Sequence, residues 1–356
     1  LRGRLQPKPG LQLALLVSVF VVAACGLIYE LIAGAIASYL LGDSILQFST
    51  VIGTYLFAMG VGSFLSRYLI KDLPGHFIRI ELLVGLAGGF MPILLFIQHA
   101  WAPGPFRFLL YGMVLLVGIL VGLEIPLVMR LLRAHYRLKD LVSQVLTFDY
   151  LGALAVSMAF PLLFIPLMGM IRTGLFFGLA NVLVAVWALV IFRDHLPRLG
   201  AHIGAMVIGV VLLIVGFGGA DRIMSFAETR LYSNRVIYAE SSPYQRIVLT
   251  QSRNDLRLHL NGNLQFSSSD EYRYHESLVL PVLAAHAAPE KVLILGGGDG
   301  MAARELLRHK QVREVTLVDL DHRVTRLFAQ MSPLTRLNEN ALNSPRLNVF
   351  NTDALT

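Results

Sequence analysis

A glycine-rich loop that holds one carboxylate is the part of this sequence best suited to chemistry. Residues 296–300 read Gly-Gly-Gly-Asp-Gly and follow a short apolar segment. The glycines Gly296 and Gly298 allow a backbone to approach a nucleotide closely. Asp299 would repel a pyrophosphate but attract a cationic amine or sulfonium group. The loop therefore favours an adenosyl sulfonium ligand over a dinucleotide, although Asp299 could instead cap the helix that follows.

Asp319 is the second carboxylate that the pattern singles out. It ends the apolar segment 315–318 and lies 21 residues after Gly298. In a doubly wound fold, a carboxylate at the end of the second strand accepts hydrogen bonds from ribose hydroxyls. Asp319 is thus a candidate for nucleoside binding, and its alternative role is to cap the next helix.

The elements around these residues predict two subdomains. Residues 235–268 alternate apolar and polar side chains between turn sequences, so we expect a small antiparallel β unit there. Residues 271–287 have helical spacing and carry Tyr274 and His275. A strand, a helix and another strand follow, and this order predicts a Rossmann-like α/β domain over residues 291–356.

Several polar motifs appear in a fixed order along this half of the chain. They are Pro-Tyr-Gln ending at Gln245, Tyr-His-Glu ending at Glu276, the loop 296–300 with Arg-Glu after it, and Val-Asp-Leu-Asp ending at Asp321. Together they resemble the spermidine synthase (polyamine aminopropyltransferase) family, over about residues 240–354. The apolar first half looks like the membrane-integrated branch of that family.

The resemblance implies a reaction and its substrates. An aminopropyl group would move from decarboxylated S-adenosylmethionine to putrescine or a similar amine, giving spermidine and methylthioadenosine. The donor would be a co-substrate, with no permanently bound cofactor and no metal. The resemblance also implies polyamine partners and a homodimer.

The resemblance assigns site residues on both sides of the reaction. The donor-binding residues would be Gln245, Asp319, Asp353, Ala354, Gly296 and Gly298. The acceptor-binding residues would be Tyr274, His275, Asp299 and Gln265.

The sequence departs from the family pattern at four places, and one of them is Asp319, which stands where the family usually has Glu. Asn261 stands where the family has Asp, and Leu280-Pro281 stands where it often has His-Pro. The family's catalytic Asp would lie beyond Thr356, so the catalytic group is unknown here. The expectation is that the α/β domain is incomplete in this sequence.

Charge separates the chain into two halves. Residues 1–220 contain 14 Lys and Arg against 8 Asp and Glu, and residues 221–356 contain 16 against 15. The composition is 55% hydrophobic and 15% charged, against roughly 25% charged in soluble proteins. The net charge of +7 then belongs mostly to loops of a membrane domain, for which nucleic-acid binding is the poorer explanation.

The first half has the composition of a membrane domain. A helix needs about 20 apolar residues to cross a bilayer. Blocks of this kind lie near 11–29, 46–66, 80–98, 108–129, 146–168, 172–192 and 200–219. They predict about seven spans in residues 1–220, followed by a linker and β subdomain over 221–290. The region 11–41 is long enough to include an extra re-entrant piece.

The loop charges predict an orientation in the cell (inner) membrane. Twelve basic residues fall on one side, and only Arg107 and Arg172 fall in the opposite loops. The positive-inside rule then puts the N-terminus in the cytoplasm. Seven spans would leave the second half outside, whereas its expected donor is cytoplasmic, so the side of the soluble domain stays open.

Carboxylates in the apolar blocks leave other functions of the first half open. Glu30, Glu124 and Asp149 could line a path for a cation or polyamine, or could pair with nearby polar groups. Two alternatives to the aminopropyltransferase therefore remain: an S-adenosylmethionine-dependent methyltransferase, and a membrane polyamine transporter or sensor with an enzyme-like binding domain.

Overall fold

The chain forms two compact units, and each is described by itself. A computed structural model describes residues 9–133, 138–197, 199–232 and 234–354. The units are Leu1–Leu231 and Tyr232–Thr356. The boundary falls later than the position 220 expected from composition, because the last helix of the first unit continues through its charged end to Leu231.

Long apolar helices build the first unit. In the part of the chain that the structure describes, they are α1 (Pro9–Leu41), α2 (Ser44–Leu65), α3 (Leu73–Trp101), α4 (Phe106–Leu132), α5 (Leu138–Ala159), α6 (Ile165–Phe192) and α7 (Leu199–Leu231). Region 11–41 forms one continuous helix, with no separate re-entrant piece. Helices α2 and α4 touch through glycines: a Cβ added to Gly62 would overlap the Ile119 carbonyl oxygen.

Helices α5 and α6 are joined without a loop. A turn of π-helix, Phe160–Phe164, connects them, so the described residues contain six continuous helical stretches long and apolar enough to cross a membrane. The stretch Leu141–Phe192 has 52 residues and would be about 78 Å long if straight. Gly169 interrupts it with φ 70° and ψ 175°. The interruption lies between the blocks 146–168 and 172–192.

The second unit begins with an antiparallel sheet, as the alternation predicts. Its strands pair in chain order: β1 (Arg235–Ser241), β2 (Arg246–Gln251), β3 (Leu256–Leu260) and β4 (Asn263–Ser267). Helix α8 (Glu271–Ala285) follows the sheet.

A parallel sheet completes the described part of this unit. Its order is β5 (Lys291–Leu295), β6 (Glu314–Val318) and β7 (Leu347–Phe350), with α9 (Met301–Leu307), α10 (His322–Gln330) and α11 (Ser332–Leu337) in the connections. The shared core contains Ile247, Leu258, Phe266 and Phe328. This strand and helix order is the Rossmann-like beginning that the sequence predicts, and it places the loops after β5 and β6 at the same edge.

Candidate active site

The glycine loop between β5 and α9 takes a shape that only glycine adopts easily. Gly296, Gly297 and Gly300 have φ of 84°, 73° and 76°. Gly298 is needed for a different reason, because a Cβ there would lie 2.8 Å from the Asp319 carboxylate. Backbone conformation therefore requires glycine at three positions of the loop, and lack of space requires it at Gly298.

Asp319 fixes this loop from the end of β6. Its Oδ2 accepts a hydrogen bond from the Gly298 amide at 2.8 Å, and its Oδ1 accepts one from the Asp321 amide at 2.9 Å. A carboxylate offers about four lone-pair sites, so capacity remains for further donors such as hydroxyls. The helix-capping alternative falls to another residue, since Asp321 accepts from the Arg323 amide at the start of α10.

Asp321 connects the loop after β6 to the turn before β2. Its buried Oδ2 accepts hydrogen bonds from the Ser242 hydroxyl at 2.6 Å and from Gln245 Nε2 at 2.9 Å. The sequence motif contains Asp321, but nothing in its spacing marks it as the partner of Gln245. Gln245 is therefore held beside the Asp319 loop through Asp321.

Asp299, within the loop, interacts with ionisable groups from α8 and from the end of β6. Its Oδ1 accepts from the Met301 amide at 2.9 Å, which is the capping contact considered above, and Asn338 Nδ2 donates to its carbonyl oxygen at 3.0 Å. Burial raises the pKa of Asp299, and the Met301 hydrogen bond and His275 partly oppose that rise. The charges of Asp319 and Glu271 add to it.

His275 is held rigidly on α8. Its Nδ1 lies 2.7 Å from Glu271 Oε2 and 2.9 Å from the Glu271 carbonyl oxygen, and the residue is 5% exposed. The Tyr274 ring meets the imidazole edge to face at 5.2 Å but is itself largely exposed. The second imidazole nitrogen is left for other partners, so His275 acts as a fixed polar group near Asp299.

A buried ion network holds Glu271, the hydrogen-bond partner of His275, in place. Arg304 donates to Glu271 Oε1 and Oε2 at 2.8 and 3.1 Å, and to Glu305 Oε1 at 2.8 Å. The Leu337 carbonyl oxygen also accepts from Arg304. The sequence reading named Arg-Glu only as part of a motif. Its function as the support of Glu271 depends on the packing of α8 against α9.

The other predicted residues lie at exposed positions or in a turn. Gln265 is exposed on β4, where the pairing with β3 is irregular. Asp353 and Ala354 are exposed after β7. Asn261 has φ 50° and its Oδ1 accepts from the Arg246 amide at 2.9 Å, so it forms a turn. Within the described ranges, no group of three or more His, Cys, Asp or Glu side chains could hold a metal ion.

Comparison with known proteins relates both units to one kind of protein. A family model described as "Spermine/spermidine synthase domain" matches residues 271–356. "Polyamine aminopropyltransferase 2" of Ralstonia nicotianae is 55% identical over 347 residues, covering 96% of this chain and 68% of the relative. "Polyamine aminopropyltransferase" of Leptospira interrogans is 50% identical, covering 97% and 69%. The chain thus spans about two thirds of the length of these relatives.

Solved structures give a more limited match. Spermidine synthase from Thermotoga maritima is 32% identical over 33% of this chain and 41% of its own, with a TM-score of 0.32. A spermidine synthase in complex with the transition state analogue AdoDATO gives a TM-score of 0.31 over 33% of this chain and 40% of its own.

Proposed function

This chain belongs to the polyamine aminopropyltransferase family and is an aminopropyltransferase, and we propose that it converts putrescine or a similar amine to spermidine or its analogue. The donor would be decarboxylated S-adenosylmethionine, and the second product methylthioadenosine. One observation carries the proposal. The Gly298–Asp319 hydrogen bond and Asp299 lie together at the carboxyl ends of adjacent parallel strands, which is where open α/β sheets bind ligands.

The donor fits the residues around the Asp319 loop. Asp319 has free lone pairs for ribose hydroxyls, and a Cβ added at Gly296 would meet no atom within 4 Å, so the loop is open to a close ligand there. Gln245 is positioned by Asp321 beside the same carboxylate. Gly296, Asp353 and Ala354 are assigned to the donor side by the family resemblance. A methyltransferase would use the same loop, but the membership of this chain in the aminopropyltransferase family favours aminopropyl transfer over methyl transfer.

The acceptor amine would bind on the Asp299 side. A polyamine is an alkyl chain with an ammonium group at each end, and each end needs a carboxylate or a polar acceptor. Asp299 supplies the carboxylate, and His275 with Tyr274 forms an adjoining wall. Gln265 is proposed for the edge of this pocket from the family resemblance alone.

The reaction is an in-line displacement at carbon. The neutral amine nitrogen forms a bond to the aminopropyl carbon, the carbon–sulfur bond breaks, and its electron pair stays on sulfur. The attacking amine must first lose a proton, because amines near pKa 10 are mostly protonated at neutral pH. The family resemblance assigns that step to a catalytic Asp.

A product assay tests the proposal. Full-length protein in detergent would receive labelled decarboxylated S-adenosylmethionine or S-adenosylmethionine, each with a panel of amines. We expect methylthioadenosine and an aminopropylated amine from the first donor only. Methylated amine, or polyamine binding without transfer, would contradict the proposal and favour the methyltransferase or the transporter and sensor reading.

We further propose that the helical unit spans the cell (inner) membrane, with the N-terminus and the enzyme unit in the cytoplasm. Apolar length and the basic loops support the first two points. The expected cytoplasmic donor supports the third. This proposal requires Leu141–Phe192, about 78 Å long if straight, to count as one crossing and give six spans; two crossings divided at Gly169 would give seven and put the enzyme unit outside.

Cysteine labelling tests the orientation with little background, because Cys25 is completely buried. The exposed turn residue Asn254 would be changed to Cys, with Lys71→Cys and Gly104→Cys as references for opposite sides. We expect Asn254→Cys to react with a membrane-impermeant maleimide in the same preparations as Lys71→Cys. Reaction alongside Gly104→Cys would place the enzyme unit outside. The homodimer, also part of this proposal, is tested by light scattering of the detergent complex.

A further inference from the structure

Two glutamates are buried inside the helical unit. Glu81 on α3 is 0% exposed and Glu124 on α4 is 1% exposed, and their charges interact directly. The sequence reading included Glu124 but not Glu81. Burying one unpaired carboxylate is costly, and burying two side by side adds their mutual repulsion.

The cluster around these glutamates contains more hydrogen-bond acceptors than donors. Asn181 on α6 donates to Glu81 Oε2 at 2.8 Å. Glu81 Oε1, both Glu124 carboxylate oxygens and Asn181 Oδ1 have no hydrogen-bond partner among the residues that the structure describes. The fully buried Tyr29 hydroxyl also lacks one, and it lies close enough to both glutamates for electrostatic interaction.

This arrangement needs donors and positive charge from outside the side chains. Protons on the glutamates would supply two donors and remove the charge. An ammonium group would supply three donors and balance the charge. Asn181 on α6 contacts Glu81, and Tyr29 on α1 interacts electrostatically with both glutamates, so four helices contribute buried oxygen atoms to this cluster.

Two further carboxylates of the helical unit interact with residues of this cluster or next to it. Asp149 on α5 lies close enough to affect Glu124, and Glu30 on α1 affects Tyr55 on α2. Val84, Val121 and Leu127 are among the buried apolar residues of the same core. A linear chain of ammonium groups separated by methylenes matches this combination of carboxylates and apolar surface. We infer that Glu81, Glu124, Asn181 and Tyr29 form a second amine-binding site, which takes an ammonium group of an aliphatic polyamine.

The choice of a polyamine as ligand rests on the proposed function, whereas the site itself does not. Equilibrium dialysis with labelled spermidine would count binding equivalents on full-length protein in detergent. We expect Glu124→Gln and Glu81→Gln each to lose one equivalent and to keep the wild-type rate of aminopropyl transfer. Asp194→Asn, at an exposed carboxylate in the same unit, should keep all equivalents.

The outcomes of this experiment separate the two proposals. Transfer activity with unchanged spermidine binding in Glu124→Gln would overturn the second site and leave the enzyme intact. Loss of one equivalent in a protein that shows no transfer would overturn the proposed function alone. Saturation of the site by Na⁺, with no competition from spermidine, would also overturn the inference.

An infrared measurement keeps the test valid if the variants fail to fold. Wild-type protein without amine should show the carbonyl band of protonated carboxyl groups, and spermidine should replace it with carboxylate bands. A band that spermidine leaves unchanged would show that protons, not an amine, neutralise the pair.

Discussion

Buried carboxylates are treated differently in the two units of this molecule. In the enzyme unit, Glu271 and Glu305 both receive hydrogen bonds from Arg304, which is 6% exposed. In the helical unit, Glu124 is equally buried, but within the described residues neither of its oxygens receives a hydrogen bond. The first pair is completed by the chain itself and serves structure. The second requires a proton or a ligand, which is the usual mark of function in an apolar bundle.

The largest expected effect comes from breaking the completed network. Arg304→Leu leaves Glu271 and Glu305 buried without their cation, and we expect a loss of about 3–5 kcal/mol in the free energy of unfolding. Chemical denaturation followed by transfer activity measures it. Arg336→Leu, at an exposed position, should change stability by no more than about 0.5 kcal/mol. Equal stability of the two variants would show that Arg304 is not needed for the network.

Asp299→Asn tests a carboxylate that has one hydrogen-bond donor among the described residues, fewer than Glu271 but more than Glu124. Losing one charge-assisted hydrogen bond to the amine costs about 1.5–3 kcal/mol, so we expect the amine KM to rise roughly 10- to 100-fold. Steady-state kinetics with varied amine measures this change. An unchanged amine KM would exclude Asp299 from the acceptor pocket.

The same variant should show a pH-dependent gain in stability. Because burial raises the pKa of Asp299, the ionised carboxylate destabilises the folded chain at pH values above that raised pKa. The penalty fades as the pH falls through the folded pKa towards the ordinary Asp value. Asp299→Asn should therefore be more stable than wild type at neutral pH and lose that advantage in acid. Thermal unfolding across pH measures the crossover.

Gly298→Ala tests the fit of the donor loop. Its Cβ would lie 2.8 Å from the Asp319 carboxyl carbon, and crowding of this kind costs about 1–3 kcal/mol. We expect the donor KM to rise about tenfold with little change in the amine KM. The control is Gly218→Ala in α7, where an added Cβ meets no atom within 4 Å. A normal donor KM in Gly298→Ala would separate this loop from donor binding.

Glu124→Gln should have the smallest effect on stability. No hydrogen bond from the described residues is lost, and a buried charge is removed, so we expect amine-free stability within about 1 kcal/mol of wild type or higher. Thermal unfolding without polyamine measures it. A loss of 3 kcal/mol or more, on the scale of Arg304→Leu, would mean that Glu124 has a structural partner after all.

The sequence predicts the enzyme unit better than the helical unit, because its signals are local. Alternation and turn residues specify β1–β4, and the glycine loop specifies the β5–α9 connection. The contacts that arrange the site are not local. Asp321 meets Gln245 across 76 residues, and Arg304 meets Glu271 across 33, so side-chain type and spacing could not reveal them.

The helical unit shows where composition loses information. Apolar blocks give the number and approximate positions of the helices, but Glu81 appears at the edge of a block and is completely buried in the fold. It accepts a hydrogen bond there from Asn181, one hundred residues away on another helix. The end of α7 at Leu231 is equally hidden, because its charged last turns have the composition of a linker.

Gly169 gives this protein an unusual mutational vulnerability. Its dihedral angles, φ 70° and ψ 175°, lie in a region that is essentially restricted to glycine. Any side chain there would favour a continuous helical backbone from α5 into α6. If Leu141–Phe192 instead crosses a bilayer twice, with the division at Gly169, a one-carbon substitution there could change the number of crossings from seven to six. The compartment that receives the product would then depend on a residue that takes no part in making it.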